Sequence, residues 1–201
     1  MKSGIKLIVS GPSGAGKGTV INRLLTRLAE LDEEVYLSIS MTTRYMREGE
    51  IDGVSYYFTD KPNFERLLDE KGLLEHNCYN GEYYGTPAAP VEEAFAAGKI
   101  VLFDIDINGG RQIRERYADA VTAFLIPPRF ELLEARLKGR GTETEDKIRH
   151  RLEIARGEYT AAGDYDYVVV NDTIDDAVEE LLAIITAERS RMSRRAELLK
   201  I

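Results

Sequence analysis

Glycines at positions 11, 14 and 16 followed by Lys17, in the run Gly11-Pro12-Ser13-Gly14-Ala15-Gly16-Lys17-Gly18-Thr19, have the types and spacing to bind phosphate. Glycine lets successive backbone N–H groups turn inward on phosphate oxygens, and the lysine adds a positive charge that reaches back over them. The loop follows the apolar run Ile5 to Val9 and opens the helical pattern Val20, Ile21, Leu24, Leu25, Leu28, so a helix N-terminus adds its partial positive charge. Gly18 stands where Ser or Thr usually follows the lysine of a Walker A loop. That leaves Thr19 as the nearest hydroxyl for a Mg²⁺ ion. The plainer alternative is a strand-to-helix turn built from small residues, and the lysine at this spacing argues against it.

Arg44 and Arg47 form a second candidate group. Two guanidinium forks can hold one phosphate bidentately, and the hydroxyls of Tyr56 and Tyr84 could add donors. Taken alone the segment could equally be a solvated basic turn balanced by Glu48 and Glu50. The phosphate loop upstream favours a second phosphate site.

The elements that must position these groups are legible as alternating patterns. Apolar, β-branched runs at 5–9, 35–39, 100–105, 121–126 and 167–170 read as strands. Helical patterns read at 17–30, 89–97 ending at Gly98, 110–117, 129–138, 145–160 and 174–198, with Thr142 and Glu145 at capping-box spacing and Thr173 ahead of the last. The class is therefore α/β, a parallel sheet covered by helices on both faces. Residues 1–39, 89–136 and 159–201 are expected to form this core. The stretch 40–88, with short alternating pieces such as 54–58, reads as an inserted subdomain of small antiparallel strands. The charged stretch 137–158, opened by Gly139 and Gly141, reads as a helical lid or, alternatively, as a solvated helix face. Ligands of open α/β sheets lie beyond the strand carboxyl ends. Lys17, Ser40, Asp104, Asp106, Pro127-Pro128 and Asn171 all fall there.

Composition narrows the function classes. A net charge of −8 argues against general nucleic-acid binding, and no apolar run approaches a membrane span, which takes about 20 residues. Met1-Lys2-Ser3-Gly4 leads directly into the first strand, which leaves no room for a signal peptide, so a soluble cytoplasmic protein is expected. The single cysteine, Cys78, excludes an internal disulfide, and neither it nor His76 or His150 has a metal-site spacing nearby. Nothing in the sequence decides between a monomer and a homo-oligomer.

Several stretches taken in order, Ser10 to Lys17, Thr42 to Tyr56, Gly81-Glu-Tyr-Tyr84-Gly-Thr86, Asp104-Ile-Asp106, Pro127-Pro128, Arg140-Gly-Thr-Glu143 and Val170-Asn171-Asp172, resemble the guanylate kinases over nearly the whole chain. The resemblance implies a P-loop kinase core, a GMP-binding insert and a lid, transferring the γ-phosphoryl group of ATP to GMP with Mg²⁺ as cofactor. It further implies that residues 11 to 19 and Asn171 contact ATP. Arg44, Arg47, Tyr56 and Tyr84 would grip the GMP phosphate, while Ser40, Glu75 and Thr86 would read guanine; Glu50 and Asp104 complete the GMP side. Lys17, Arg44, Arg136, Arg140 and Arg151 would surround the transferring group, and Thr19 and Asp106 would hold the metal largely through water. Asn108-Gly109-Gly110 departs from the family's more common Gln-Gly-Ala.

The chemistry of guanine supports the role of Glu75. N1–H and N2–H are adjacent donors that one carboxylate accepts together, whereas adenine presents a lone pair at N1. Discrimination of this kind reaches about 10⁴-fold. Phosphoryl transfer needs in-line placement and charge neutralisation rather than a general base, and an arginine supplied to it is worth on the order of 10³ in rate. A lid that closes over both nucleotides keeps water from competing for the phosphoryl group. Another P-loop nucleoside monophosphate or sugar-phosphate kinase, and a guanylate-kinase-like module that binds without catalysis, remain the alternatives at this point.

Overall fold

The computed structural model describes residues 4–79, 81–139 and 144–199. The central sheet is parallel throughout, in the order β2 (Val35–Leu37), β7 (Ile100–Asp104), β1 (Ile5–Ser10), β8 (Val121–Ile126), β9 (Tyr167–Val170). β1 lies in the middle and is buried at every residue, as a parallel strand covered on both faces must be. Its side chains alternate between two cores. Ile5, Leu7 and Val9 join α1 (Lys17–Glu30) and α7 (Ile174–Arg189), while Ile8 joins the apolar residues of α3 (Ala88–Ala96) and α4 (Ile107–Arg116).

A separate mixed sheet has the order β4 (Tyr57–Phe58), β3 (Met41–Thr42), β6 (Glu82–Pro87), β5 (Leu73–Tyr79). β3 and β4 pair in parallel, not antiparallel as expected, because residues 51–56 turn back before Tyr57 enters the sheet. The same region contains an unexpected helix, α2 (Lys61–Asp69). Asp60 caps it by accepting from Asn63 N–H at 2.9 Å, and Phe64 is fully buried.

Two other helices differ from the sequence expectation. α4 begins at Ile107, three residues early, since Asp106 is its N-cap and accepts from Gly109 N–H at 2.8 Å. Asn108 and Gly109 therefore lie inside this helix instead of preceding it. α7 stops at Arg189, because its buried stripe ends at Glu188; beyond Ser190 the chain turns so that Arg194 reaches Asp119. A third cluster packs α5 (Glu131–Gly139) against α6 (Glu145–Ala161), with Leu133, Leu137, Ile148, Leu152 and Ala155 surrounding Ala15 of the glycine loop. Thr144 stands at the N-cap of α6, and Thr142 lies outside the described residues. Among the described residues no helix is long and apolar enough to cross a membrane.

Candidate functional site

The glycine loop leaves β1 and re-enters helix at Gly16, the N-cap of α1, with φ near 93° there and 94° at Gly14. These angles belong to the left-handed region that favours glycine. A Cβ on Gly16 would also lie 2.5 Å from Asn171 Nδ2. Asn171, buried at the end of β9, uses that nitrogen to donate to the Ala15 carbonyl at 2.7 Å. Arg136 of α5 donates to the Gly14 and Ala15 carbonyls at 3.3 and 3.2 Å and to the Asn171 carbonyl at 3.4 Å. With its carbonyls drawn outward in this way, the loop can turn N–H groups toward a ligand.

Lys17 Nζ lies 3.4 Å from the Gly11 carbonyl and 3.5 Å from Asp104 Oδ1 at the end of β7. Arg151 of α6 lies 3.4 Å from Ser13 Oγ. Thus α5 and α6 each bring one expected arginine to the loop, whereas Arg140 lies outside the described residues. Thr19 is exposed on the first turn of α1.

In the mixed sheet, Glu75 and Thr86 meet across β5 and β6. Thr86 Oγ1 donates to Glu75 Oε1 at 2.7 Å, and both residues are buried. Burial pushes the Glu75 carboxyl up to about 7; the nearby charge of Asp106 adds to this, and hydrogen bonds from Thr86 oppose it. A Cβ on Gly109 would stand 2.9 Å from Glu75 Oε2, so only glycine leaves room for this carboxylate against α4.

Arg44 forms a two-bonded pair with Glu50, at 3.0 and 2.7 Å, and its guanidinium carbon lies 5.4 Å from the Tyr56 ring centroid. Tyr56 and Tyr84 pack edge to face at 6.1 Å. Glu50 also accepts from Arg47 N–H at 2.7 Å. Its carboxylate therefore faces protein donors and fixes the Arg44 fork, while the Arg47 side chain is left exposed. Ser40 is half-buried, and its carbonyl accepts from Tyr57 N–H at 2.9 Å.

Several residues that sequence reasoning did not single out complete the rim. Tyr165 donates to Ser10 Oγ at 2.8 Å through a hydroxyl that would be 2.5 Å from a Cβ on Gly110. Asn77 of β5 donates to Asp106 Oδ2 at 3.1 Å, joining the mixed sheet to the core. Glu158 of α6 is half-buried and its pKa is raised, chiefly by burial, with Lys17 pulling it down and Asp106 pushing it up. Gln112 of α4 meets the backbone of His76. No local pattern marks these residues, because each contact closes a long loop of chain.

The phosphate loop thus follows β1 of the parallel sheet, and the buried carboxylate–threonine pair of the mixed sheet packs against Gly109 of α4, the helix that follows β7. The guanylate kinase family model matches residues 3–188. The chain belongs to the guanylate kinase family. A guanylate kinase of Thermus thermophilus is 47% identical over 194 residues, covering 96% of this chain and 86% of its own length. One from Lactobacillus acidophilus is 46% identical, covering 95% and 92%. The crystal structure of guanylate kinase from Anaplasma phagocytophilum superposes with a TM-score of 0.76 at 31% identity, over 96% of this chain and 90% of that one. Within this guanylate kinase fold, the parallel core and the mixed sheet are the two bodies between which the rim residues lie.

Proposed function

We propose that this guanylate kinase divides its site into an ATP half on the glycine loop and a GMP half on the mixed sheet. The reaction is ATP:GMP phosphotransfer. The observation that carries the division is the buried Glu75–Thr86 pair, held in a sheet of its own beside Arg44, Tyr56 and Tyr84. When ionised, Glu75 accepts guanine N1–H and N2–H, and Thr86 and Ser40 complete the reading of the base. Arg44, Arg47, Tyr56 and Tyr84 hold the GMP phosphate. Glu50 orients Arg44, and Asp104 stands between the two halves.

On the ATP side, the loop from Gly11 to Thr19 binds the phosphates, Lys17 neutralises them, and Arg136 and Asn171 brace the loop from behind. Arg151 and Arg140 close over the transferring group. In this reading residues 40–88 are the GMP insert and 137–158 the lid, with α6 resting on Ala15. Closure excludes water, so that the anionic GMP oxygen is the available nucleophile.

The residues present fit Mg²⁺ as the cofactor. Asp104 offers a hard oxygen donor 3.5 Å from Lys17 Nζ, while Thr19 and Asp106, whose carboxylate oxygens accept from Gly109 and Asn77, would reach the ion through water. Among the described residues no group of three or more His, Cys, Asp or Glu side chains could hold a metal. ATP phosphates and water must therefore complete the coordination, as is usual for Mg²⁺. Held there with ATP, Mg²⁺ would supply positive charge against the phosphates. ATP and GMP are soluble anions, and a cytoplasmic location accords with them and with the net charge of −8.

Initial rates with ATP and Mg²⁺ and with GMP, dGMP, AMP or UMP as acceptor test the assignment. GMP should be the preferred acceptor. Faster turnover of AMP would overturn the guanine reading.

A further inference from the structure

Glu75 does not sit in regular strand. β5 and β6 pair Leu73 with Pro87 but His76 with Gly85, so β5 carries one more residue than its partner across this interval. Leu73, Leu74 and Glu75 are consequently buried in succession, where an ordinary half-covered strand would alternate. A bulge of this kind re-aims a side chain at the cost of unpaired backbone groups. β5 is moreover an edge strand: among the described residues it has β6 on one side and no strand on the other. Within the sheet, β6 holds the bulge from one side, where Thr86 donates to the Glu75 carboxylate at 2.7 Å.

The missing partner is a side chain. His76 N–H donates to Gln112 Oε1 at 3.1 Å, and Gln112 Nε2 donates back to the His76 carbonyl at 2.9 Å. The amide of Gln112 thereby does what a neighbouring strand's peptide groups would do, at the residue immediately after Glu75. Gln112 Nε2 also lies 3.5 Å from the carbonyl of Asn108, one turn back on α4. Gly109, which makes room for Glu75 Oε2, is three residues before Gln112 and shares its helix face. One face of α4 thus both admits the carboxylate and clamps the backbone that carries it.

We infer that Gln112 is a positioning residue for guanine selection, acting by pinning the β5 bulge that aims Glu75. The inference rests on the reading of Glu75 as the guanine acceptor. A surface glutamine whose contact merely stabilises the fold would affect both nucleotides alike. A residue that aims Glu75 affects GMP alone, and only while Glu75 is there to be aimed.

Gln112→Met preserves the length and helix packing of the side chain without its hydrogen bonds, and Gln112→Ala serves as a second variant. For each, KM for GMP should rise by about tenfold, the loss expected from two neutral hydrogen bonds. KM for ATP should stay within about twofold, and the preference for GMP over AMP should fall. Hydrogen exchange at the His76 amide should accelerate in the unliganded variant. In a Glu75→Gln background the Gln112→Met change should have no further effect on GMP. The inference is overturned if Gln112→Met leaves KM for GMP unchanged, raises both KM values together, or acts undiminished in the Glu75→Gln background. If Glu75→Gln alone leaves the preference for GMP intact, the reading of Glu75 is what has failed.

Discussion

Asn171 Nδ2 lies 2.7 Å from the Ala15 carbonyl and occupies the space that a Cβ on Gly16 would need. The last strand of the sheet is thereby tied to the loop that follows the first. The buried Asn171 amide donates to the loop backbone, where it helps to fix the Ala15 carbonyl.

Asn171→Ala should therefore weaken ATP and spare GMP. The substitution removes the shorter of two hydrogen bonds to the Ala15 carbonyl and leaves the one from Arg136 at 3.2 Å, at a cost of ~0.5–1.5 kcal/mol, or about two- to tenfold in ATP affinity if the loop relaxes. Calorimetric titration with each nucleotide separately checks this. An equal loss of GMP affinity would show that Asn171 does not act through the loop.

Gly110→Ala should disturb the rim through Tyr165. The added methyl would lie 2.5 Å from the Tyr165 hydroxyl, which must then leave Ser10 Oγ. Thermal stability should fall despite the better helix propensity of alanine, which alone favours it by about 1 kcal/mol. Adding Tyr165→Phe removes the clashing oxygen and should restore most of the loss. Absence of rescue in the melting temperature of the double variant would count against this contact as the cause.

The Glu75 carboxyl, pushed up to about 7 in the unliganded protein, predicts a pH-dependent GMP affinity. In the proposed reading GMP binds the carboxylate form, so binding should expel a proton below that pH and apparent affinity should fall about tenfold per pH unit there, with a plateau above it. For stability the sign is opposite to that of a salt-bridged carboxylate. The folded pKa lies above the unfolded value, so this contribution is fully present below the unfolded pKa, near 4.5, and is lost as pH rises through about 7. The GMP phosphate titrates near pH 6, by about the value for phosphate monoesters. Comparison with Glu75→Gln isolates the carboxyl. A wild-type profile of GMP KM parallel to that of the variant would refute its part.

Gly18→Ala should raise the melting temperature. A Cβ there meets no atom within 4 Å, and the residue lies in the first turn of α1. Replacing glycine in a helix gains about 1 kcal/mol, which is ~2–4 °C for a domain of this size. Differential scanning calorimetry reads the shift, and a decrease would mean that the loop needs glycine's freedom at 18 as well as at 14 and 16.

Much of the molecule was legible before any coordinates. The alternation of apolar runs with helical stripes is a local property, and it placed β1, β8, β9, α1 and α6 within a residue or so of where they lie. The glycine–lysine loop was equally clear, since its function follows from backbone freedom and spacing inside a few residues. Glu75 and Thr86 could be named only through resemblance, as two residues among many carboxylates and hydroxyls; their 2.7 Å contact required β5 and β6 to pair.

The misread elements share a cause. The helix expected from Gly110 begins at Ile107 because Asp106, three residues back from Gly109, caps it, and glycine at 109 and 110 leaves room for the Glu75 carboxylate and the Tyr165 hydroxyl. α7 was drawn too long because helix propensity continues past the point at which there is anything left to bury. Local pattern reports what a segment prefers, not what stands next to it.

The sequence by itself determined the α/β class, the phosphate loop and the chemistry available to each named side chain, because those depend on residue type and near spacing. Only the tertiary structure decided that Asn171 braces the loop, that Glu50 holds Arg44 and that Gln112 clamps the residue beside Glu75. Separations of 156 residues for Asn171 and Ala15, and 36 for Gln112 and His76, are closed by sheet pairing and helix docking. Their geometry comes from packing that no stretch of a dozen residues contains.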